Sequence, residues 1–443
     1  MKKGIIAVGL TTLALLLSGC NIKFGSKKAK ATIMVYMCGS DLESGYDGYH
    51  TNVQYAGMGS ADILEMCQAD NKPKDVNVII QTGGSKAWKN SKISAKKSQR
   101  WYIKDGALQA DSELTLSNMG KASTFQEFLE WGLKKYPAEK TGVIMWNHGG
   151  AMQGVCSDEN FSGDTLLADE VTTALEGAFK NTKRKEKLEW IGYDACLMAV
   201  QDIAEKNSDY FNYMVSAQES EAGSGWKYNA WLRNLYEGKS TEEVLSSICD
   251  SFVASVGSIS SKSNDQTLSV LNLNKMAKYK EEFESLAERI LEVVPSSQKK
   301  TFQNTGKQAK TYGTDVYTLS DLQEAGLSTN PSSSYYYENY GFEKEGNLYY
   351  LYGYSTFGVL DLVDFLNNIE NQYSSLSSDI AKVKAAYNDM LVHNTVGKGA
   401  GNSNGLCLFF PMNQMCHSST YYSAKQTRFT NWRNVTLALG ENK

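Results

Sequence analysis

The chain has 443 residues, 42% hydrophobic and 21% charged, enough to bury a sizeable core and, at roughly 150 residues per domain, to build two or three domains. These proportions exclude a disordered chain and a disulfide-stapled mini-protein, and 37 Gly with only 5 Pro exclude collagen-like or Pro-rich architecture. With 45 basic against 49 acidic residues, no field of one sign recruits nucleic acid, and none is expected as a partner.

The first predicted element is not part of the fold. Lys2 and Lys3 precede an apolar run, Ile5 to Leu17, that is too short to span a bilayer comfortably, and Leu17-Ser18-Gly19-Cys20 follows. This reads as a signal peptide over 1–19 ending in a bacterial lipobox, with Cys20 as the lipidated N-terminus of the mature chain. Residues 20–30 are then a polar, Lys-rich tether. Diacylation beside basic residues predicts stable anchoring at the extracytoplasmic face of the cell membrane. No later stretch approaches 18 uninterrupted apolar residues, so the body of the chain is expected outside the membrane. None of the eight cysteines stands in a CxxC pair, which gives no support to a zinc ribbon or a thioredoxin-like site.

Beyond the tether, short apolar strands alternate with amphipathic helices. Strands are predicted at 32–37, 76–81, 142–146, 188–193 and 213–217, and helices at about 51–69, 123–136 (capped by Thr124), 169–179 and 197–207. Residues 89–116 read as an antiparallel excursion. Near-continuous apolar strands separated by helices imply an α/β fold with a buried, mostly parallel sheet covered on both faces. After Gly238 the pattern changes to long helices at 242–256, 275–294, 360–369 and 378–391 around a Tyr-rich segment, 335–354, with one more apolar strand at 405–411. The predicted organisation is an α/β domain over 31–238 and an α+β lobe over 239–443 packed on it.

Two residues stand out chemically. His148, one of only four histidines, directly follows the strand ending at Trp146, in Asn147-His148-Gly149-Gly150. Cys196 follows the next strand in the same way, in Tyr193-Asp194-Ala195-Cys196, ahead of the helix predicted from Leu197. In a doubly wound sheet the reactive crevice lies outside the carboxyl ends of the strands. Neighbouring strands lie ~4.8 Å apart, so adjacent placement brings imidazole and thiol to one site. A thiolate is favoured by a nearby imidazole and a helix N-terminus, and the imidazole can protonate a leaving amine. The amides of Gly149 and Cys196 are suited to hold a tetrahedral oxyanion.

Trp146-Asn147-His148-Gly149-Gly150 and Tyr193-Asp194-Ala195-Cys196-Leu197-Met198-Ala199 closely resemble the clostripain family of cysteine peptidases, within the caspase, gingipain and legumain group. Further similarity lies in Val215–Glu219, Gly225–Tyr228 and Gly405–Pro411, so the resemblance runs from about Ala31 to the C-terminus. It implies a caspase-like fold, His148 as general acid/base, Cys196 as nucleophile and the Gly149 and Cys196 amides as the oxyanion hole. It also implies protein or peptide substrates cleaved after Arg or Lys. Asp194 matches the family's acidic specificity position, with Glu219 as second choice and Glu221 behind it.

One departure concerns maturation. Relatives are often cleaved at a basic residue between histidine and cysteine, yet Gly149 to Phe179 contains no Lys or Arg, and the first basic cluster is Lys180–Lys187. Asp158-x-Asn160-x-Ser162-Gly163-x5-Asp169 resembles a calcium loop, but an EF-hand needs a bidentate Glu where Asp169 stands. Asp169 more simply caps the next helix, and no cofactor is expected, calcium being the one alternative. The Tyr-rich segment is read as strand packing rather than a sugar platform. A different class of function, an idle lipoprotein binding peptide or glycan on this fold, is the alternative to the peptidase.

Overall fold

The computed structural model describes residues 28–45, 57–69, 75–259, 264–313, 316–324, 326–337, 342–345, 348–351, 357–410 and 427–440. The predicted signal segment, Cys20 and most of the tether lie outside the described residues, as do His50, Cys416 and His417. In chain order the elements are β1 (Ala29–Cys38), α1 (Ser40–Ser44), α2 (Met58–Gln68), β2 (Val76–Gly83), β3 (Lys97–Lys104), β4 (Ala107–Thr115), α3 (Ala122–Lys135) and β5 (Ala138–Trp146). They continue with β6 (Val155–Asp158), β7 (Asp164–Leu166), α4 (Ala168–Thr182), β8 (Leu188–Asp194), α5 (Gln201–Asn207), β9 (Phe211–Ser216), α6 (Tyr228–Tyr236) and α7 (Thr241–Ile259). Then come β10 (Thr267–Asn272), α8 (Met276–Val293), α9 (Lys299–Lys307), β11 (Val316–Thr318), α10 (Leu319–Glu324), β12 (Phe342–Glu345) and β13 (Leu348–Leu351). The last are β14 (Val359–Asp361), α11 (Leu362–Gln372), α12 (Ser377–Met390), β15 (Leu391–Val396), β16 (Cys407–Phe409) and α13 (Thr430–Leu439).

The centre is a nine-stranded sheet in the order β15-β10-β9-β8-β5-β1-β2-β3-β4. From β9 to β2 neighbouring strands are parallel, and antiparallel strands close both ends. β1 is a run of buried residues because both its faces are covered. Successive side chains point to opposite faces, so Met34, Tyr36 and Cys38 enter one core with Phe125 and Phe128 of α3 and Leu175 of α4. Ile33, Val35 and Met37 enter the other with Ile63 of α2, Trp231 of α6 and Phe252 of α7. The chain leaves β1 toward β2 on one side and later returns as β5 on the other. The strand order therefore reverses between β1 and β5, the place where such sheets open a crevice at their carboxyl ends.

The boundary expected near Gly238 does not divide this sheet. β10 and β15, both beyond it, extend the sheet antiparallel from β9, and α8, α12 and α13 contribute Phe283, Val383 and Trp432 to the core of the first face. Residues 360 and 361, expected to open a helix, instead belong to the short strand β14 paired with β16, and the helix begins at Leu362. Thr124 lies inside α3 rather than capping it, since the helix starts at Ala122 behind Lys121. In the Tyr-rich region β11, β13 and β12 form a separate small sheet, where Tyr337 and Tyr349 pack edge to face at 4.9 Å beside Leu322. Among the described residues no helix is long and apolar enough to cross a membrane, and Cys38, Cys156, Cys196, Cys249 and Cys407 are free thiols.

Candidate active site

β5 and β8 are adjacent and parallel, with Trp146 paired to Asp194. His148 and Cys196 thus stand at matching positions just past the sheet, and both line one cavity of about 280 Å³. The histidine turn is tied down from several sides. The Asn147 amide donates to the Asp194 carbonyl at 3.3 Å, and its side-chain amide donates to the Cys38 carbonyl at 2.7 Å. Its Oδ1 accepts from the Ser157 amide at 2.8 Å, and the His148 carbonyl accepts from the Cys156 amide at 3.2 Å. Gly149 is required by close approach: a Cβ there would lie 2.2 Å from the Cys196 carbonyl oxygen.

The helix predicted from Leu197 begins only at Gln201, so Cys196 does not sit on a helix N-terminus. Leu197 adopts a left-handed conformation (φ 65°). Its amide donates to the Glu219 carbonyl at 3.2 Å, and the Ala199 amide to the Ala217 carbonyl at 2.9 Å. Pairing with the strand-to-loop segment after β9 thus overrides local helix propensity. Burial raises the Cys196 thiol above its ordinary range, with the negative charge of Glu219 adding to it; the amides of Glu221, Cys196 itself and Gly149 work against the rise. The Glu221 amide donates to Sγ at 3.2 Å. Two of these donors, Gly149 and Cys196, are the amides expected to face an oxyanion.

The other wall of the cavity is acidic. Asp194 is buried and accepts from the Tyr228 hydroxyl at 2.7 Å. Burial pushes its carboxyl up to about 6. Glu221 stands against it, and burial followed by repulsion from Asp194 raises Glu221 well above the carboxylate range. Behind them Asp62 of α2 accepts from the Trp146 indole at 2.7 Å, and burial and then Asp194 raise it strongly as well. Gly225 (φ 59°) brings the loop close to these acids, where a Cβ would lie 2.8 Å from Asp62 Oδ2. Lys227 is engaged elsewhere, with Glu65 at 2.8 Å. Among the described residues no lysine or arginine pairs with Asp62, Asp194 or Glu221. Three carboxyl groups in one buried place cannot all ionise without a cation, and the cavity leaves room for one.

Glu219, ranked above Glu221 from the sequence, is turned the other way. Its Oε1 accepts from the Gly313 amide at 3.1 Å and the Ser220 amide at 2.8 Å, while Glu221 lines the cavity. Asp41 of α1 and Asp62 are additions that the sequence did not single out. Asp41 Oδ1 lies 2.7 Å from His148 Nε2. Burial alone would raise the Asp41 carboxyl, but hydrogen bonding and attraction from His148 outweigh it and hold the group below the usual range.

The proposed calcium loop is the connection between β6 and β7, not a loop between helices. Asp158 accepts from the Met119 and Asn160 amides at 2.7 and 2.8 Å. Asp169 pairs with Lys206 at 2.6 Å inside the first turn of α4, which is capped at Leu167 rather than by Asp169. Among the described residues no group of three or more His, Cys, Asp or Glu is arranged to hold a metal ion. The basic cluster Lys180–Lys187 closes the C-terminal end of α4, where Arg184 donates to the Glu186 carbonyl at 2.8 Å.

Comparison with known proteins agrees with this architecture. Clostripain from Hathewaya histolytica is 23% identical over 364 residues, covering 72% of this chain and 62% of that protein, so the chain spans somewhat under two thirds of that relative's length. The fold is shared with a secreted C11 cysteine protease from Bacteroides thetaiotaomicron (TM-score 0.55, 13% identity, 92% of this chain and 99% of that one). It is shared too with an inactive zymogen C11 protease from Parabacteroides distasonis (TM-score 0.57, 12% identity, 94% and 99%). A sequence profile described as the clostripain family matches residues 35–435, nearly the whole folded body including both halves of the sheet, and the chain belongs to that family.

Proposed function

We propose that this chain is a cysteine endopeptidase that cleaves peptide bonds after Arg or Lys. Cys196 gives its proton to His148 and attacks the scissile carbonyl carbon. His148 returns the proton to the leaving amine, and water, deprotonated by His148, then hydrolyses the thioester. The Gly149 and Cys196 amides hold the oxyanion in both tetrahedral intermediates. The substrate's guanidinium or ammonium enters the cavity and meets Asp194 and Glu221 through charge-assisted hydrogen bonds.

The observation that carries this reading is one cavity that holds a thiol, an imidazole and the buried carboxyl groups of Asp194 and Glu221, with which no lysine or arginine pairs among the described residues. Membership of the clostripain family supports it. The sequence around Cys20 adds the proposal that the mature enzyme is tethered by lipid to the extracytoplasmic face of a bacterial membrane.

Cys196→Ala should abolish turnover of Arg- and Lys-ended fluorogenic peptides while leaving the melting curve in place, and a Lys- or Arg-directed chloromethyl ketone should label the wild type at Cys196. Unchanged turnover in the variant would refute the assignment. Peptide binding without either turnover or labelling would favour an idle binding protein. The anchor is tested separately by detergent phase partitioning, which Cys20→Ser should shift to the aqueous phase.

A further inference from the structure

Three neighbouring strands reach the same edge of the sheet in the order β8, β5, β1. Asp194, Trp146 and Met37 lie in register across them. The chain just beyond these positions carries Cys196, His148 and Asp41. The central one of the three is the imidazole, with a thiol on one flank and a carboxylate on the other. The peptidase reading uses the first two and gives the third no task.

Asp41 is placed firmly for a residue on a surface turn. The Gly39 amide donates to the Gly83 carbonyl at 2.8 Å and the Ser40 amide to the Gly84 carbonyl at 3.1 Å, which pins the start of α1 against the end of β2. Ser40 has the left-handed φ of 49°, and its carbonyl accepts from the Ser85 hydroxyl at 2.8 Å. The Ser40 hydroxyl donates to Asp41 Oδ1 at 3.0 Å, the oxygen that also meets His148 Nε2 at 2.7 Å. The two side chains are 46% and 35% exposed, so the imidazole has room to turn and its orientation depends on this contact.

We infer that Asp41 is a positioning residue, whose carboxylate fixes the tautomer and the ring orientation of His148; the role rests on the peptidase reading above. An ionised carboxylate offers only acceptors, so Nε2 must be the nitrogen that carries the proton. Nδ1 is then left with its lone pair, and it is Nδ1 that takes the Cys196 proton and returns it to the leaving amine. While the ring carries both protons, the adjacent carboxylate stabilises the imidazolium. The arrangement adds no bond-making step. It sets which nitrogen does the work.

The test combines kinetics with a spectrum that does not depend on activity. Asp41→Asn and Asp41→Ala are compared with wild type for kcat and KM on an Arg-ended peptide. The imidazole nitrogen shifts of His148, assigned by their loss in His148→Ala, are recorded by 15N NMR. A buried carboxylate partner of this kind is worth about 10⁴ in kcat, and a half-exposed pair less, so the expectation is a fall of about 10- to 100-fold in kcat with KM within about twofold. In wild type the shifts should be those of the Nε2–H tautomer, and in Asp41→Ala they should move toward the Nδ1–H form. Turnover within twofold of wild type in both variants overturns the role, as does a tautomer unchanged by Asp41→Ala. Should wild type itself cleave nothing, the peptidase reading fails alone, and the nitrogen shifts still decide whether Asp41 governs the ring.

Discussion

Replacing Asp194 with Asn should stabilise the protein at neutral pH and at the same time remove its preference for basic residues. Asp194 is 5% exposed, and burial, against the hydrogen bond from Tyr228, moves its carboxyl from 3.8 to about 6. The folded state therefore binds this proton more tightly than the unfolded chain does. By linkage, stability falls as pH rises from 3.8 through about 6 and stays lower above it. Keeping this carboxylate ionised at neutral pH therefore costs on the order of a few kcal/mol, shared with Glu221 beside it. Asn keeps the shape and an acceptor for the Tyr228 hydroxyl but carries no charge, so the cost disappears. The melting temperature should rise by several degrees at pH 7.5 and scarcely move at pH 3.5. The bound cation loses a charge-assisted hydrogen bond worth about 1.5–3 kcal/mol, which is roughly 10- to 150-fold in kcat/KM. Thermal melts at the two pH values, with kcat/KM for peptides ending in Arg, Lys or the uncharged isostere citrulline, check both halves. A variant that melts lower at pH 7.5, or that keeps the wild-type preference for Arg over citrulline, refutes the reasoning.

The same carboxyl predicts a pH effect in the unmodified enzyme: as pH falls through about 6, Asp194 takes up a proton, and KM should rise for the Arg peptide but not for the citrulline one. Gly149→Ala should lower kcat by about 10²-fold or more, because the added methyl would lie 2.2 Å from the Cys196 carbonyl oxygen and must push apart the two loops that carry the oxyanion donors. A chelator should leave turnover within about twofold, since Asp158 and Asp169 already spend their oxygens on backbone amides and Lys206; activity lost to the chelator and restored by calcium would show a metal site of another kind.

Much of the sheet was legible because its central strands are covered on both faces. A residue run such as Ile33 to Met37 has no polar side to disguise it, and helices with a buried apolar face, such as α3 and α4, come between these strands. β10 and β15 were not legible. Ser269 in one and His393 and Asn394 in the other interrupt the apolar pattern, and their strand character comes from pairing with each other and with β9, far away in the sequence. The helix expected from Leu197 failed for a related reason. Nothing local forbids it, and only the carbonyls of Ala217 and Glu219 draw that segment out.

The site divides along the same line. His148 and Cys196 are rare, reactive residues placed after apolar strands, so chemistry and position can be read together. Acids are common, 49 in this chain, and their meaning depends on direction. Glu219 and Glu221 are two residues apart in one irregular loop, yet one faces Gly313 and the other faces the cavity. Two backbone contacts set that difference: the Glu219 carbonyl accepts from Leu197, and the Glu221 amide donates to the Cys196 sulfur. Glu221 thereby meets the Cys196 sulfur with its backbone and lines the cavity with its side chain. Burial, then Asp194 and the thiol, raise the Glu221 carboxyl well above its usual range, so while no cation is present it stands protonated and uncharged beside the sulfur. One residue thus borders both the thiol and the acidic wall of the cavity, a connection that exists only once the loop after β9 has closed over the turn after β8.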